Sequence, residues 1–196
     1  MKNIVLVAII LALSVGMLVA QPVFGARLGL NMANISGENV DNNNMKLGLN
    51  AGAMMQYPIA ENILFQPELL YTMKGVNVDA ANDPYWSLSY IEIPMLVKYN
   101  VNMPTMKIQP FLGPNLGMLM SAKYGWDDDD MDIKDDMESI ELGLNLGADV
   151  IFMKSFMAGL RYNMGLTNIV KDAEDDDTVK NTAIMLNFGY IFGQND

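Results

Sequence analysis

The chain has 196 residues, of which 51% are hydrophobic and only 18% are charged, and its net charge is −11. A soluble domain carries about a quarter charged residues. An acidic chain lacks the basic stripe of a nucleic-acid-binding protein, so no nucleic-acid partner is expected. The sequence contains no cysteine and no histidine, which excludes disulfides, thiolate metal sites and catalysis that depends on histidine.

The N-terminal segment has the pattern of a secretory signal peptide. Lys2 precedes the apolar run Ile4–Ala20, and the small residue Ala20 suits a cleavage site. We therefore predict a signal peptide over 1–20, with cleavage after Ala20, and one mature domain over 21–196. The alternative is a retained anchor, because the 17 residues of the run reach the lower limit of about 17–25 for a spanning helix.

From Phe24 onward, apolar and polar residues alternate with the period of two that is typical of β-strands. Eight segments show it: Phe24–Ala33, Leu47–Tyr57, Ile63–Lys74, Leu88–Tyr99, Lys107–Tyr124, Glu138–Phe152, Phe156–Thr167 and Thr182–Phe192. Short connections (58–62, 100–106, 153–155) alternate with long polar ones (34–46, 75–87, 125–137, 168–181). This pattern predicts an all-β fold, an eight-stranded antiparallel up-and-down barrel.

The two faces of the predicted strands differ in chemistry. In the first strand Leu28 and Leu30 alternate with Arg27, Gly29 and Asn31, and along the chain one face is apolar while the other collects amides, charges and most glycines. In a soluble lipocalin-like barrel the glycines lie in water, where they only weaken the sheet. In a membrane barrel the apolar face meets lipid and small polar residues pack a narrow lumen. We therefore predict an outer-membrane barrel, with both termini periplasmic and the long loops outside.

Aromatic residues lie near both ends of the predicted strands, where girdles form at membrane interfaces. The girdle candidates are Phe24, Tyr57, Phe65, Tyr99, Phe152 and Phe192 at the short-turn end, and Tyr85, Trp86, Tyr124 and Trp126 at the long-loop end. Pro67, Pro94, Pro110 and Pro114 fall within strands. Because proline is confined to sheet edges and bulges, we predict that these four mark bulges or bends.

Five sequence blocks carry a family resemblance. They are Gly25-Ala-Arg-Leu-Gly-Leu-Asn31, Phe65-Gln-Pro-Glu-Leu-Leu-Tyr71, Tyr90-Ile-Glu-Ile-Pro-Met-Leu-Val-Lys-Tyr99, Pro110-Phe-Leu-Gly-Pro-Asn-Leu-Gly117 and Gly159-Leu-Arg-Tyr-Asn-Met-Gly-Leu-Thr-Asn168. On these blocks the chain from Phe24 to Phe192 resembles the PorT-like outer-membrane β-barrels of Bacteroidota. The resemblance implies an eight-stranded outer-membrane barrel and says little about activity, although the name-giving member is linked to secretion and maturation. Phe192 is followed by Gly-Gln-Asn-Asp, whereas outer-membrane assembly signals usually end at or near the last aromatic residue.

Seven charged residues share the polar face and form the candidate site: Arg27, Glu68, Glu92, Lys98, Glu141, Asp149 and Arg161. The carboxylates have two interpretations, acid/base pairs or structural partners of the basic residues. Buried carboxylates need opposite charges beside them, so we predict a structural network that plugs the lumen. In this prediction Glu92, Glu141 and Asp149 meet Lys98, Arg27 and Arg161.

The acidic residues concentrate in the long loops, above all in the third. That loop carries Asp127, Asp128, Asp129, Asp130, Asp132, Asp135 and Asp136. Carboxylate oxygens suit calcium, but the loop lacks the glycine and spacing of an EF-hand, so we favour a solvated acidic rim over a cation-binding loop. Lys46, Lys74 and Lys123 stand where loops join strands and are expected to pair with loop acids or lipid phosphates.

The sequence therefore predicts a small, non-catalytic outer-membrane barrel with a structural or surface-interaction role and no cofactor. Its expected partners are outer-membrane lipids, the barrel assembly machinery and other envelope proteins. Three alternatives remain: a component of an envelope secretion or assembly machine, a narrow solute channel, and a barrel enzyme that acts on lipids or peptides.

Overall fold

A computed structural model of the chain describes residues 21–37, 43–78, 84–126, 129–171 and 178–193. The predicted signal segment, residues 1–20, lies outside this part. Eight long strands form the wall: β1 Val23–Gly37, β2 Asn43–Ala60, β3 Ile63–Val78, β4 Tyr85–Tyr99, β5 Met106–Trp126, β6 Ile140–Phe152, β7 Phe156–Gly165 and β8 Val179–Ile191. Among the described residues no helix is long and apolar enough to cross a membrane.

The eight strands close into a barrel. Each strand pairs antiparallel with the next along the chain, and β8 pairs with β1 from Gly25↔Ile191 to Gly37↔Val179. A short strand, Val101–Asn102, continues the line of β4 along β5, and a second one, Asp129–Asp132, pairs with the end of β5. The predicted eight-stranded up-and-down barrel is thus confirmed.

Each predicted segment corresponds to one wall strand. At the short-turn end β2 continues to Ala60, past the predicted end at Tyr57, and the other larger differences lie at the long-loop ends. There β2 begins at Asn43 rather than Leu47 and β4 begins at Tyr85 rather than Leu88, whereas β7 ends at Gly165, before the predicted end at Thr167. Strict alternation fades in these regions, so the sequence pattern does not mark the last ladder pairs.

The polar face of the wall points inward. In β1, Arg27 and Asn31 are 3% and 0% exposed, whereas Leu28 and Leu30 are 63% and 53% exposed. This is the reverse of a soluble barrel, whose apolar residues fill the interior. An apolar surface that runs around the wall is the surface that a barrel presents to lipid.

The prediction that the four strand prolines mark bulges or bends is wrong as to bulges, because no register shift occurs at any of the four. The register of the pairs is the same on both sides of Pro67, Pro94 and Pro114. The shifts occur elsewhere, for example between Ser89 and Tyr90 in the pairing of β4 with β5. A proline removes a donor from the ladder without adding a residue, so it interrupts the pairing and leaves the register intact.

The aromatic residues form a band at the short-turn end on one side of the wall. Phe152, Phe156, Tyr190 and Phe192 are in successive ring contact, with centroids 5.2–6.0 Å apart. Trp86, by contrast, packs against a cluster inside the barrel. An aromatic residue near a strand end is therefore not necessarily part of a girdle.

Candidate functional site: the charged lumen

Within the described part of the chain, eight charged side chains lie in the lumen, each 3% exposed or less. They are Arg27, Lys74, Lys98, Arg161, Glu68, Glu92, Glu141 and Asp149. Four are basic and four are acidic, so their formal charges sum to zero. The strands alternate their side chains between the two faces, and this alternation places all eight on the inner surface.

The first of two clusters lies toward the short turns. Glu68 accepts from both Arg27 and Arg161, with 2.8 Å between Arg161 Nη2 and Glu68 Oε2. Asp149 accepts from Lys98 and, at 3.2 Å, from Arg27 Nη2. These five residues come from five different strands, so the cluster ties together opposite sides of the barrel.

An aromatic ring lies beside two of the three cations of this cluster. Lys98 Nζ and Arg161 Cζ are each 5.3 Å from the centroid of the Phe111 ring. The cluster has three basic and two acidic members, and a ring face attracts cations. Phe111 therefore partly offsets the local excess of positive charge.

The second cluster is centred on Lys74. Its ammonium nitrogen lies 2.7 Å from Glu92 Oε1 and 3.0 Å from Glu141 Oε1. Thr72 Oγ1 and Asn115 Nδ2 each donate to Glu92 at 2.9 Å. Here one cation faces two carboxylates, and the neutral donors stabilise the extra negative charge.

Amides extend this second cluster across the lumen. Asn181 Nδ2 donates to Glu141 Oε2 at 2.7 Å, and Asn163 Oδ1 accepts from Lys74 at 2.8 Å. Asn181 also donates to the Tyr90 hydroxyl at 3.1 Å. The network therefore reaches from β3 to β8.

A glycine makes room for the Asp149 carboxylate. Asp149 pairs with Gly159 in the ladder between β6 and β7, and a Cβ at position 159 would collide with Asp149 Oδ1. Any side chain there would displace the carboxylate from Lys98 and Arg27. The charge network thus depends on the absence of a side chain at position 159.

Apolar layers lie above and below the charges. At the long-loop end a cluster gathers eight buried side chains: Ile35, Val76, Leu88, Tyr90, Leu119, Ala122, Met137 and Ile169. At the short-turn end Met54, Ile151, Met157 and Ile191 form a second one. The interior is therefore a charged middle enclosed between two apolar layers.

The third loop contributes to the upper layer. A 3₁₀ turn, Lys134–Asp136, leads to Met137, which is 2% exposed, and Met137 forms a bridge with Val170. Ile133 packs against the same layer. The sequence presents this loop as uniformly polar, because its few apolar residues are scattered among aspartates.

The seven predicted lumen residues all lie inside the barrel. Asp149 contacts Lys98 and Arg27 as predicted, whereas Glu92 and Glu141 bond to Lys74 instead of the predicted cations. The expectation that Lys74 pairs with loop acids or lipid phosphates is wrong, because its side chain is fully enclosed in the lumen. Lys74 lies an even number of positions after Glu68 in β3 and therefore on the same inward face. This spacing is the sequence feature that could have identified Lys74 as a lumen residue.

The acidic loop shows a different arrangement. Asp127 and Asp128 lie outside the described residues. Asp129, Asp132, Asp135 and Asp136 are exposed, and no group of three or more potential metal-ligating side chains converges within the described ranges. The described part of the loop thus presents its carboxylates to solvent without a cluster of three or more.

Asp130 is the loop acid with the most contacts. It accepts from the Tyr85 hydroxyl and, at 2.9 Å, from Lys123 Nζ. The hydrogen bond from Tyr85, followed by that from Lys123, lowers the pKa of Asp130. Lys46 Nζ lies 3.9 Å from the centroid of the Tyr85 ring, so two of the three junction lysines lie beside this acid.

Comparison with known proteins identifies the family. The profile described as "Outer membrane protein beta-barrel domain" matches residues 19–171. No curated protein matches the sequence.

Three solved structures are similar in fold. The neisserial surface protein A, NspA, has a TM-score of 0.53 at 18% identity, with 85% of this chain and 96% of that chain covered. Ail, the attachment invasion locus protein of Yersinia pestis, has a TM-score of 0.49 at 15% identity, with 88% and 99% covered. OprG from Pseudomonas aeruginosa has a TM-score of 0.48 at 15% identity, with 88% and 97% covered. The profile match over more than half of the chain shows that it belongs to the outer membrane protein β-barrel domain family, and the chain is a small eight-stranded barrel of the outer membrane.

Proposed function

We propose that this protein is a non-catalytic barrel whose lumen is a permanent plug, and that its role is structural or lies in surface interaction. The observation that carries the proposal is the layered interior, in which paired charges are enclosed between two apolar layers. An eight-stranded barrel has an interior just wide enough for side chains to fill. A filled interior of this kind leaves no continuous water path.

The environment of the carboxylates supports a structural role. Glu68, Glu92, Glu141 and Asp149 each accept from a lysine or arginine, and their side chains are at most 2% exposed. A general acid or base has to reach a substrate proton directly or through one water. Carboxylates that are paired and enclosed lack this access. A structural role of this kind needs no cofactor.

Planar-bilayer recording of the purified wild-type protein tests the plug. We expect no steady conductance, with a porin in the same bilayer as the positive control. A stable, ohmic single-channel current from the wild-type protein would contradict the plug and favour the narrow solute channel.

The proposed partners follow from the outer surfaces. Outer-membrane lipids surround the apolar wall, and the barrel assembly machinery inserts the chain. Other envelope proteins contact the loops, whose exposed carboxylates include Asp129, Asp132, Asp135 and Asp136. This concentration of negative charge favours a partner with a basic surface. It disfavours nucleic acid, which is itself negatively charged.

A second candidate is a component of an envelope secretion or assembly machine. The PorT-like blocks, above all Tyr90–Tyr99, favour it. Chemical cross-linking in native membranes, followed by affinity purification, distinguishes the two candidates. A stoichiometric complex with secretion components supports the machine, whereas a barrel that purifies alone supports the independent plug.

A further inference from the structure

One side of the barrel, from β2 to β5, has an interrupted hydrogen-bond ladder. In the other five seams the pairing runs without a gap through the described residues. In the three seams between β2 and β5, pairs are missing beside Pro67, Pro94 and Pro114, and the register is unchanged across each gap. Each proline lacks the N–H that its neighbour strand would accept.

The three gaps adjoin one another. In the register of the flanking pairs, Glu68, which follows Pro67, lies opposite Pro94, and Met95, which follows Pro94, lies opposite Pro114. The gaps therefore form one line across three seams. A fourth gap follows at Pro110, after which pairing resumes at Val101↔Ile108 in the same register.

Two grooves lie in the outer wall at these gaps. The larger, about 360 Å³, is lined by seven residues, among them the exposed Val97, Tyr99, Pro110 and Leu112 and the buried Lys98 and Phe111. The smaller, about 260 Å³, has Met55, Pro67 and Leu69 in its lining, together with the buried Glu68. Each groove thus contains a proline that interrupts the ladder, beside apolar residues of the outer wall.

We propose that the larger groove, at Pro110, binds a single acyl chain of an outer-membrane lipid. The groove is continuous with the apolar wall, which is the surface that already contacts lipid in an outer-membrane barrel. Its seven lining residues are far fewer than the about 20–30 residues a side of a stable protein interface. A hydrocarbon chain fits a narrow apolar groove of this size, and a second copy of the barrel does not. The inference rests on the proposed lipid-facing wall.

A photo-reactive lipid tests the proposal. Full-length protein is reconstituted with a phospholipid that carries a diazirine in its acyl chain, and cross-linked residues are mapped by mass spectrometry. We expect cross-links at Val97, Tyr99 and Leu112 to exceed severalfold those at Leu160 and Leu186, which are 58% and 43% exposed on the uninterrupted side. Pro110→Val restores the ladder donor, so that β4 and β5 can pair across the gap and close the groove. It should therefore reduce the excess to the level of the controls.

The outcomes are distinguishable. Even cross-linking around the wall, or an excess that Pro110→Val leaves unchanged, contradicts the groove while keeping the lipid-facing wall. A Leu112→Cys variant, oxidised in the same vesicles, tests for a second copy, since the chain has no other cysteine. Disulfide-linked dimers would assign the groove to a second copy and also contradict the proposal. Absence of lipid cross-links at both sets of residues would overturn the assignment of the faces itself. The shift between folded and heat-denatured bands in electrophoresis verifies that Pro110→Val folds, and Pro67→Val provides a second variant at the smaller groove.

Discussion

Lys74 holds two carboxylates that come from different strands, Glu92 on β4 and Glu141 on β6. It lies near the end of its predicted strand, where a lysine usually reaches solvent or a headgroup. The strand in fact continues to Val78, so that Lys74 lies deep within the barrel. Sequence pattern thus identified seven of the lumen charges by strand parity, but the choice of partners depends on strand stagger and on the true strand end, which alternation does not encode.

Removal of Lys74 tests its role as the bridge between two carboxylates. We expect Lys74→Met to destabilise the barrel by about 3–5 kcal/mol, because it leaves buried charge unpaired. Adding Glu141→Gln should recover part of that loss, since one carboxylate is then neutral. Urea unfolding in lipid vesicles measures both, and additive losses in the double variant would show that the two residues are not coupled.

Arg161 offers a comparison between the lumen and the loop. Arg161→Ala leaves Glu68 with one cation fewer in an enclosed site, which costs on the order of 3–5 kcal/mol. Lys134→Ala removes an exposed charge in the third loop, where a pair contributes at most about 1 kcal/mol. Thermal unfolding in detergent should therefore show the larger decrease for Arg161→Ala, and equal decreases would contradict an enclosed, paired lumen.

The strands themselves were predictable because the alternation of apolar and polar residues persists through the membrane-facing part of each. Other features of the strands and loops could not be predicted from this alternation. The prolines interrupt three ladders without changing the alternation. The register shift opposite Tyr90 lies within β5, where the inward side changes from the odd position Leu119 to the even position Ala122, and the apolar run Met118-Leu-Met120 hides this change in the sequence. The apolar residues of the third loop pack on the barrel mouth through tertiary contacts, which a local pattern does not reveal.

The alternation makes a prediction within β6. Leu144 belongs to the apolar face, whereas Asn145 is 1% exposed and faces the lumen. Leu144→Arg should cost about 2–4 kcal/mol near the membrane midplane, and Asn145→Asp should cost less because charges already occupy the lumen. A folding titration in vesicles measures the two, and a reversed order would invert the faces.

For the whole molecule, the arrangement of the connections predicts how the barrel sits in the membrane. The four long loops belong to one end, and we expect this end to be extracellular with both termini periplasmic. The chain has no cysteine, so Asp129→Cys and Asn102→Cys each introduce a unique label. Intact cells should react with an impermeant maleimide at position 129 and not at 102. Labelling at 102 alone would reverse the orientation.

The charged lumen also determines the order in which this barrel can fold. Arg27 and Glu68 are 41 positions apart, Arg161 and Glu68 are 93 apart, and Arg27 and Asp149 are 122 apart. Contacts between such distant segments form late, because the entropy of closing long loops has to be overcome first. Until β8 joins β1, the inner surface is open and its ions keep their hydration. Ring closure and the loss of that hydration are therefore a single cooperative event. A chain that stops before β8 keeps all eight charges, because none of them lies on β8, but it leaves them on an open sheet in contact with water.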